Sequence, residues 1–151
     1  MNFYLYSSVK FIHILFASVW FGASILTSSD VRQTIEAGKP HLEMLVRRIS
    51  EAEKVGIVSG VATLLSGLAI VFLAGGFEFV SSGVSIGLGT TVMTFIVGVF
   101  LASPTWRRIL SIIKRDGDLG QAKMLTSRFT AYMYIEHFLR TVTLAFMVIK
   151  F

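Results

Sequence analysis

Four long apolar stretches in a chain of 151 residues restrict its fold more than any other feature. An α-helix that crosses a bilayer needs about 20 mostly apolar residues. Four predicted spans meet this requirement approximately: 11–27, 55–74, 84–102 and 129–150. Only 15% of the residues are charged, against about 25% in an ordinary soluble domain. The sequence therefore predicts a single all-α transmembrane domain, built as an antiparallel four-helix bundle.

The ends of the predicted spans follow from local sequence signals. The first span begins nearer Phe3 if the Lys10 side chain extends to the membrane interface. It lacks the short basic region and cleavage site of a signal peptide, so we expect it to be retained. Gly75-Gly76 is expected to separate the second span from the third. Ser103-Pro104 is expected to end the third helix, because proline cannot continue the hydrogen-bond ladder.

Basic residues are concentrated in two of the three links between the spans. Links 28–54 and 103–128 together hold eleven of the 14 Lys and Arg residues, whereas the short link after the second span has none. By the positive-inside rule, both basic links are predicted to be cytoplasmic and both termini to lie outside, in a bacterial-type inner or plasma membrane. Membrane lipid headgroups then account for the net charge of +5, and nucleic acid is not an expected partner.

Small residues recur at intervals of four along the spans. Gly56 and Gly60 form one G-x-x-x-G pattern, and Gly83 and Gly87 form another. In lipid, small residues allow helix backbones to approach closely. The pattern predicts helix packing inside the bundle, and Gly22 in the first span is expected to permit the same close contact.

Ionisable residues inside a membrane span are energetically unfavourable, and each one suggests a function. The first span holds His13, and the last holds Glu136, His137 and Arg140. The chain has no cysteine, which excludes disulfides, thiolate metal sites and thiol catalysis. The ionisable candidates inside the spans are therefore two imidazoles, one carboxylate and one guanidinium group.

Glu136 and Arg140 are separated by four residues, with the acid first, which favours a pair on one helix face. One interpretation is a structural ion pair, since pairing lowers the energetic penalty of burying either charge. The alternative is that Arg140 binds an anionic group such as a porphyrin propionate, because guanidinium suits carboxylates. Glu136 would then be available to carry protons.

His13 and His137 are candidate metal ligands. We expect them to differ by no more than about 10 Å in depth if the first span starts early. Haem iron is often held by histidine, and helical bundles bind such cofactors between facing helices. The alternative is two unrelated histidines, each hydrogen-bonded within the bundle. Trp20 lies two turns from His13 on the same face, where it either packs beside a planar cofactor or fills the core.

The first span resembles the first helix of the HemJ-type and CopD-type membrane families. The shared pattern is K-x-x-H-I followed by W-F-G, formed here by Lys10, His13-Ile14 and Trp20-Phe21-Gly22. HemJ-type proteins are haem-binding protoporphyrinogen oxidases, and CopD-type proteins are linked to copper handling. The resemblance implies that His13 is a haem or metal ligand.

Two features of these families are missing from the chain. HemJ-type proteins carry a lysine in the third helix and N-E-x-P in the fourth, whereas the third span here has no lysine and the fourth reads Y-I-E-H. Copper(I) sites favour Met and Cys, and the six methionines form no M-x-x-M cluster. A haem-binding relative is therefore favoured over either named activity.

The sequence thus predicts a membrane protein that binds haem b through His13 and His137 and takes part in electron transfer or haem-linked oxidation. The protein would then be an oxidoreductase. Its expected partner is either a membrane redox protein or a second copy of the same chain. The main alternative is an accessory or assembly subunit of a larger membrane complex, without a cofactor. A proton-coupled carrier that uses Glu136 and Arg140 is less favoured, because broken helices and inverted repeats are missing.

Overall fold

The computed structural model of the protein describes residues 3–115 and 117–148, and no strand occurs among them. Its helices are α1 (Phe3–Ile25), α2 (Thr27–Ala37), α3 (Leu42–Leu73), α4 (Ser82–Val97), α5 (Ser103–Lys114) and α6 (Leu119–Val148). A π-helical segment, Gly98–Ala102, joins α4 to α5, and a 3-10 turn, Phe77–Phe79, follows α3. The all-α prediction is confirmed. Residues 149 and 150, at the end of the predicted fourth span, lie outside the described residues.

Three helical stretches are long and apolar enough to cross a membrane: Phe3–Ala37, Leu42–Leu73 and Ser82–Lys114. They contain the first three predicted spans. The first helix begins at Phe3, at the earlier of the two expected positions. Helix α6 has 30 residues but does not meet the same criterion within the described residues, since Glu136, His137 and Arg140 reduce its mean hydropathy.

The glycine pair after α3 forms the expected break. Helix α3 ends at Leu73, and Gly75 and Gly76 have φ angles of 108° and 110°. Side-chain-bearing residues rarely adopt such angles, so glycine is the natural choice for this turn.

The prediction that Ser103-Pro104 ends the third helix is wrong. The chain stays helical from Ser82 to Lys114, because the π-helical segment precedes the proline. In a regular α-helix the Pro104 ring would clash with the carbonyl of Phe100, four residues earlier. The wider π turn, in which the amide of Ser103 bonds to the carbonyl of Gly98, accommodates the proline without ending the helix.

Two helix pairs make up most of the packing. Helix α1 packs along α3, and α4 packs along α6. Helices α2 and α5 both pack on α6, and α2 also contacts α3. Contacts between α1 and α6, and between α3 and α4, are few. The two pairs are therefore joined mainly at one end, and space remains between them.

The buried apolar core lies at the end of the molecule that contains both basic links. It joins α2, the start of α3, α5 and the start of α6. Its members include Ile35, Leu45, Trp106, Ile109 and Phe129. This end is packed as a small water-soluble domain would be.

Elsewhere the large apolar side chains mostly face outward. Phe11, Val58, Phe100 and Phe138 come from different helical stretches, and each is between 64% and 70% exposed. An apolar surface of this extent is unusual for a water-soluble monomer. The outward-facing apolar surface thus belongs to all four helical stretches.

The glycines fall into two groups according to their surroundings. An added Cβ at Gly60 would lie 2.8 Å from the Trp20 indole nitrogen, and one at Gly87 would lie 3.0 Å from the Met147 side chain. These two glycines allow the close helix contact that the spacing predicts. Gly22 and Gly56 have nothing within 4 Å of an added Cβ, so the expectation of close contact is wrong at both positions.

We expect Gly60→Ala to lower the free energy of unfolding by about 1–3 kcal/mol, because the added methyl group displaces the buried Trp20 indole. Gly56→Ala lies one turn away and is the matched control. It should raise stability by up to about 1 kcal/mol, since alanine favours the helix and meets no neighbour. Unfolding in mixed detergent micelles measures both values. Equal effects at the two positions would show that Trp20 does not pack against Gly60.

Candidate functional site

The centre of the site is an ion pair buried between the helices. Glu136 and Arg140 lie one turn apart on α6, with Arg140 Nη2 2.5 Å from Glu136 Oε2. The side chains are only 7% and 8% exposed, respectively. Arg140 Nη1 also donates to Ser24 Oγ and to the Trp20 carbonyl oxygen, the latter at 3.4 Å. The pairing expected from the spacing is present, and it links α6 to α1.

Trp20 meets all three of the other long helical stretches. Its ring stacks on Phe95 of α4, with centroids 5.4 Å apart and an interplanar angle of 20°. The guanidinium carbon of Arg140 lies 4.5 Å from the Trp20 ring centroid, close enough for a cation–π interaction. On its third side the indole packs against Gly60 of α3. Trp20 is therefore buried between the helices.

His137 joins α6 to α1 at the same level. Its Nε2 lies 2.9 Å from the Ser24 carbonyl oxygen, and its ring meets Phe21 edge-on at 6.3 Å. Since only a protonated nitrogen can donate to a carbonyl, this geometry places a proton on Nε2. Ser24 thus serves two partners, its hydroxyl accepting from Arg140 and its carbonyl accepting from His137.

His13 lies in a separate contact between α1 and α3. Its Nδ1 is 3.0 Å from the Thr63 carbonyl oxygen and 3.1 Å from Ser66 Oγ. Ser24, the partner of His137, lies eleven positions after His13 on α1, which corresponds to about 16 Å along the helix. The structure therefore does not bring the two histidines together.

A cavity of about 410 Å³ lies beside the ion pair, between α1, α3 and the stretch from α4 to α5. Trp20, Glu136 and Arg140 line it, and His13 and His137 do not. Most of its wall is apolar, and the exposed residues Glu53 and Arg107 line it toward the basic links. Its size lies within the range of small-molecule binding sites.

The π-helical segment shapes this cavity. Gly98, the first residue of the segment, faces the ion pair, and an added Cβ there would lie 3.1 Å from Glu136 Oε1. Gly98, Val99 and Ala102 all line the cavity. Because π-helical turns are frequent at functional sites, the irregular turn agrees with a role for this cavity.

One polar atom at the cavity has no partner. Arg140 Nε is buried and makes no hydrogen bond within the part of the chain that the structure describes. A buried donor without an acceptor is unfavourable by about 1–3 kcal/mol. An acceptor that approached from the cavity, with a small shift of the side chain, would remove this penalty.

Three residues of the site are not predicted from the sequence. They are Ser24, Phe95 and Gly98. Of the three, only Ser24 could have been found from the sequence, because it is a polar residue one turn beyond Trp20 in an apolar helix. Phe95 and Gly98 are ordinary residues of an apolar span, and only the packing of α4 against α1 and α6 reveals them.

No group of three His, Asp or Glu side chains suited to a metal ion occurs in residues 3–115 and 117–148. Comparison of the chain with protein-family models, with curated proteins and with solved structures found no match. The resemblance to HemJ-type and CopD-type proteins thus stays a prediction that rests on Lys10, His13 and the W-F-G sequence.

The ion pair gives a direct test of the site's architecture. Arg140→Leu leaves the Glu136 carboxylate buried without a partner, and we expect the free energy of unfolding to fall by about 3–5 kcal/mol. The double variant E136L/R140L buries no charge and should recover most of that loss. Chemical unfolding in mixed micelles measures both.

The matched control is the exposed pair Glu51 and Lys54, whose nitrogen–oxygen distance is 2.9 Å. Replacing either partner by Leu should change stability little, since exposed ion pairs contribute little. A double variant of Glu136 and Arg140 that is less stable than Arg140→Leu would contradict the assignment of the buried pair.

Proposed function

We propose that this chain is an integral membrane protein of four antiparallel crossings that binds a neutral, largely apolar molecule in its central cavity. The observation that carries the proposal is the cavity itself, an apolar space with a buried, self-neutralised ion pair in its wall.

The membrane setting is supported by where the apolar side chains point. Phe11, Val58 and Phe100 face outward on the three apolar stretches. Transfer of such surface from water is favourable by about 25 cal/mol per Å², so a lipid surround stabilises this arrangement. The buried apolar core around the two basic links lies at the end of the molecule that water would surround in this setting.

Helix α6 has the character of a fourth crossing. Ile135 and Phe138 are exposed, whereas Glu136 and Arg140 are buried against the other helices. In membrane helices, charged and polar residues face the interior of the bundle because contact with lipid is energetically unfavourable for them. The two basic links lie at the end with the apolar core, which supports a cytoplasmic position for that end and an outer position for both termini.

The chemistry of the ligand follows from the charges of the cavity. Arg140 is already paired with Glu136, so a ligand carboxylate would have to compete with an existing carboxylate. Near the links the cavity is lined by one acidic and one basic side chain, Glu53 and Arg107, whose formal charges sum to zero. A neutral molecule with hydrogen-bond acceptors suits this cavity better, and its acceptor would meet Arg140. Isoprenoid quinones are the abundant membrane molecules of that chemistry.

Fluorescence provides the test. The chain has two tryptophans, Trp20 and Trp106, and both line the cavity. We expect ubiquinone-1, a short-chain quinone, to quench their emission saturably in detergent micelles. Gly56→Leu should weaken the binding at least about tenfold, because Gly56 lines the cavity with open space in front of it and the leucine would occupy that space.

Gly22→Leu is the matched control, since Gly22 also has open space but does not line the cavity. Its affinity for the quinone should equal that of the original protein. Linear, unsaturable quenching, or equal losses in the two variants, would contradict a quinone site in this cavity.

Haem ligation by His13 is a second candidate. The two histidines do not fit a haem held between them, because an iron with two imidazole ligands needs both ring nitrogens close to one atom. His13 alone has a favourable orientation. Its Nδ1 bonds to the Thr63 carbonyl, as in many metal-binding histidines, whose second nitrogen then faces the metal.

An absorption spectrum tests this second candidate. Protein purified with haem supplied should show a Soret band that His13→Ala removes and His137→Ala leaves in place. The matched control, His137, lies in a comparable contact with a backbone carbonyl. A colourless preparation, or equal loss in the two variants, would exclude His13 as the haem ligand.

A further inference from the structure

A second cavity, of about 520 Å³, lies between α5 and the start of α6. It is separate from the central cavity, and it is lined on its polar sides by Arg108, Ser111, Arg115, Gln121 and Arg128, with the buried Leu125 behind them. It lies within the second basic link. We refer to it as the arginine cavity.

Helical spacing places these side chains on two facing surfaces. Arg108, Ser111 and Arg115 follow one another at intervals of three and four residues along α5 and its end, so they share one face. Gln121, Leu125 and Arg128 do the same on α6. The contact between α5 and α6 turns the two faces toward each other. Three guanidinium groups from sequence positions up to 20 residues apart thus line one space.

Among residues 3–115 and 117–148, no acidic side chain lines the arginine cavity. Within residues 3–115 and 117–148, the ion pairs found are Arg48–Asp30, Lys54–Glu51 and Arg140–Glu136, so the three arginines take part in none of them. The carboxylate of Asp118, the described acid nearest in sequence to Arg115, accepts from the Gly120 amide at 2.7 Å. The cavity therefore concentrates positive charge, and the part of the chain that the structure describes places no carboxylate in its wall.

We propose that the arginine cavity binds a phosphate group, supplied either by an anionic phospholipid headgroup or by a soluble phosphate. Guanidinium groups bind phosphate oxygens with two parallel hydrogen bonds, and Ser111 and Gln121 add neutral donors. Repulsion among three like charges falls when an anion enters. Basic pockets of this kind, at the cytoplasmic ends of membrane helices, hold lipid headgroups.

Paired charge variants distinguish a site from general attraction between a basic protein and an anion. R108Q/R128Q removes two arginines of the cavity, one from each helix. K114Q/K123Q removes two positive charges from the same helices at exposed positions that do not line it. The probes are inorganic phosphate, and phosphatidylglycerol in mixed micelles of a neutral detergent, each titrated calorimetrically near physiological salt.

We expect R108Q/R128Q to weaken binding about 10- to 30-fold and K114Q/K123Q to change it less than about threefold. Binding of inorganic phosphate identifies a soluble phosphate as a sufficient ligand, whereas binding of phosphatidylglycerol alone identifies a lipid headgroup. Arg115→Gln, a single change at an exposed position, is the second test, with an expected loss of about fivefold.

The proposal is overturned if neither probe binds, or if the two double variants lose affinity equally. It is independent of the quinone proposal, because none of these residues lines the central cavity. Quinone quenching should be the same in R108Q/R128Q as in the original protein, so failure of one proposal leaves the other measurable.

Discussion

The buried pair of Glu136 and Arg140 determines how the remaining parts fit together. In the proposed membrane setting, a charged side chain that faced lipid would be strongly unfavourable, so burial of these two residues would fix the rotation of α6 about its axis. That rotation turns Phe138 outward and brings the guanidinium onto the Trp20 ring. Ser24 then supplies the oxygens that Arg140 and His137 require. One interaction thus orders the contact of α6 with α1.

The structure has two regions with opposite distributions of apolar residues. Around the basic links, Leu45, Ile109 and their neighbours are buried as in a soluble domain. Along the long helices, apolar side chains point outward and small or hydroxyl residues point inward. Ser59, Thr91 and Thr94 are buried, and each donates to a carbonyl three or four residues back in its own helix. The proposed membrane setting, with a bilayer around one region and water around the other, would satisfy both distributions.

Much of this could be predicted from the sequence, because it depends on local rules. Helical content, the break at Gly75-Gly76 and the pairing of Glu136 with Arg140 follow from hydropathy, turn chemistry and spacing along one helix. The end assigned at Pro104 was wrong because a π turn, which no residue pattern announces, accommodates the ring. The cavity depends on gaps between helices that are distant in sequence, so neither Gly98 nor Phe95 carried a local signal.

The positions of the two histidines relative to each other likewise could not be predicted from local sequence rules. Their estimated depths predict that His13 and His137 lie close together, yet each bonds to a carbonyl of a different neighbouring helix. Depth along a helix does not specify which neighbour a side chain faces, since that depends on rotation and on the packing order of the helices. Trp20, by contrast, lies at the centre of the bundle, where α1, α3, α4 and α6 meet.

The claim tested most directly by one measurement is that α6 crosses the membrane. The chain has no cysteine, so single cysteines can be placed at Ser127 and Val148, both exposed on α6 and 21 residues apart. That separation is about 31 Å along a helix, close to the thickness of the hydrocarbon layer. In right-side-out membrane vesicles, a charged maleimide should label the Val148→Cys variant directly and the Ser127→Cys variant only after permeabilisation. Labelling of both from the same side would contradict the account.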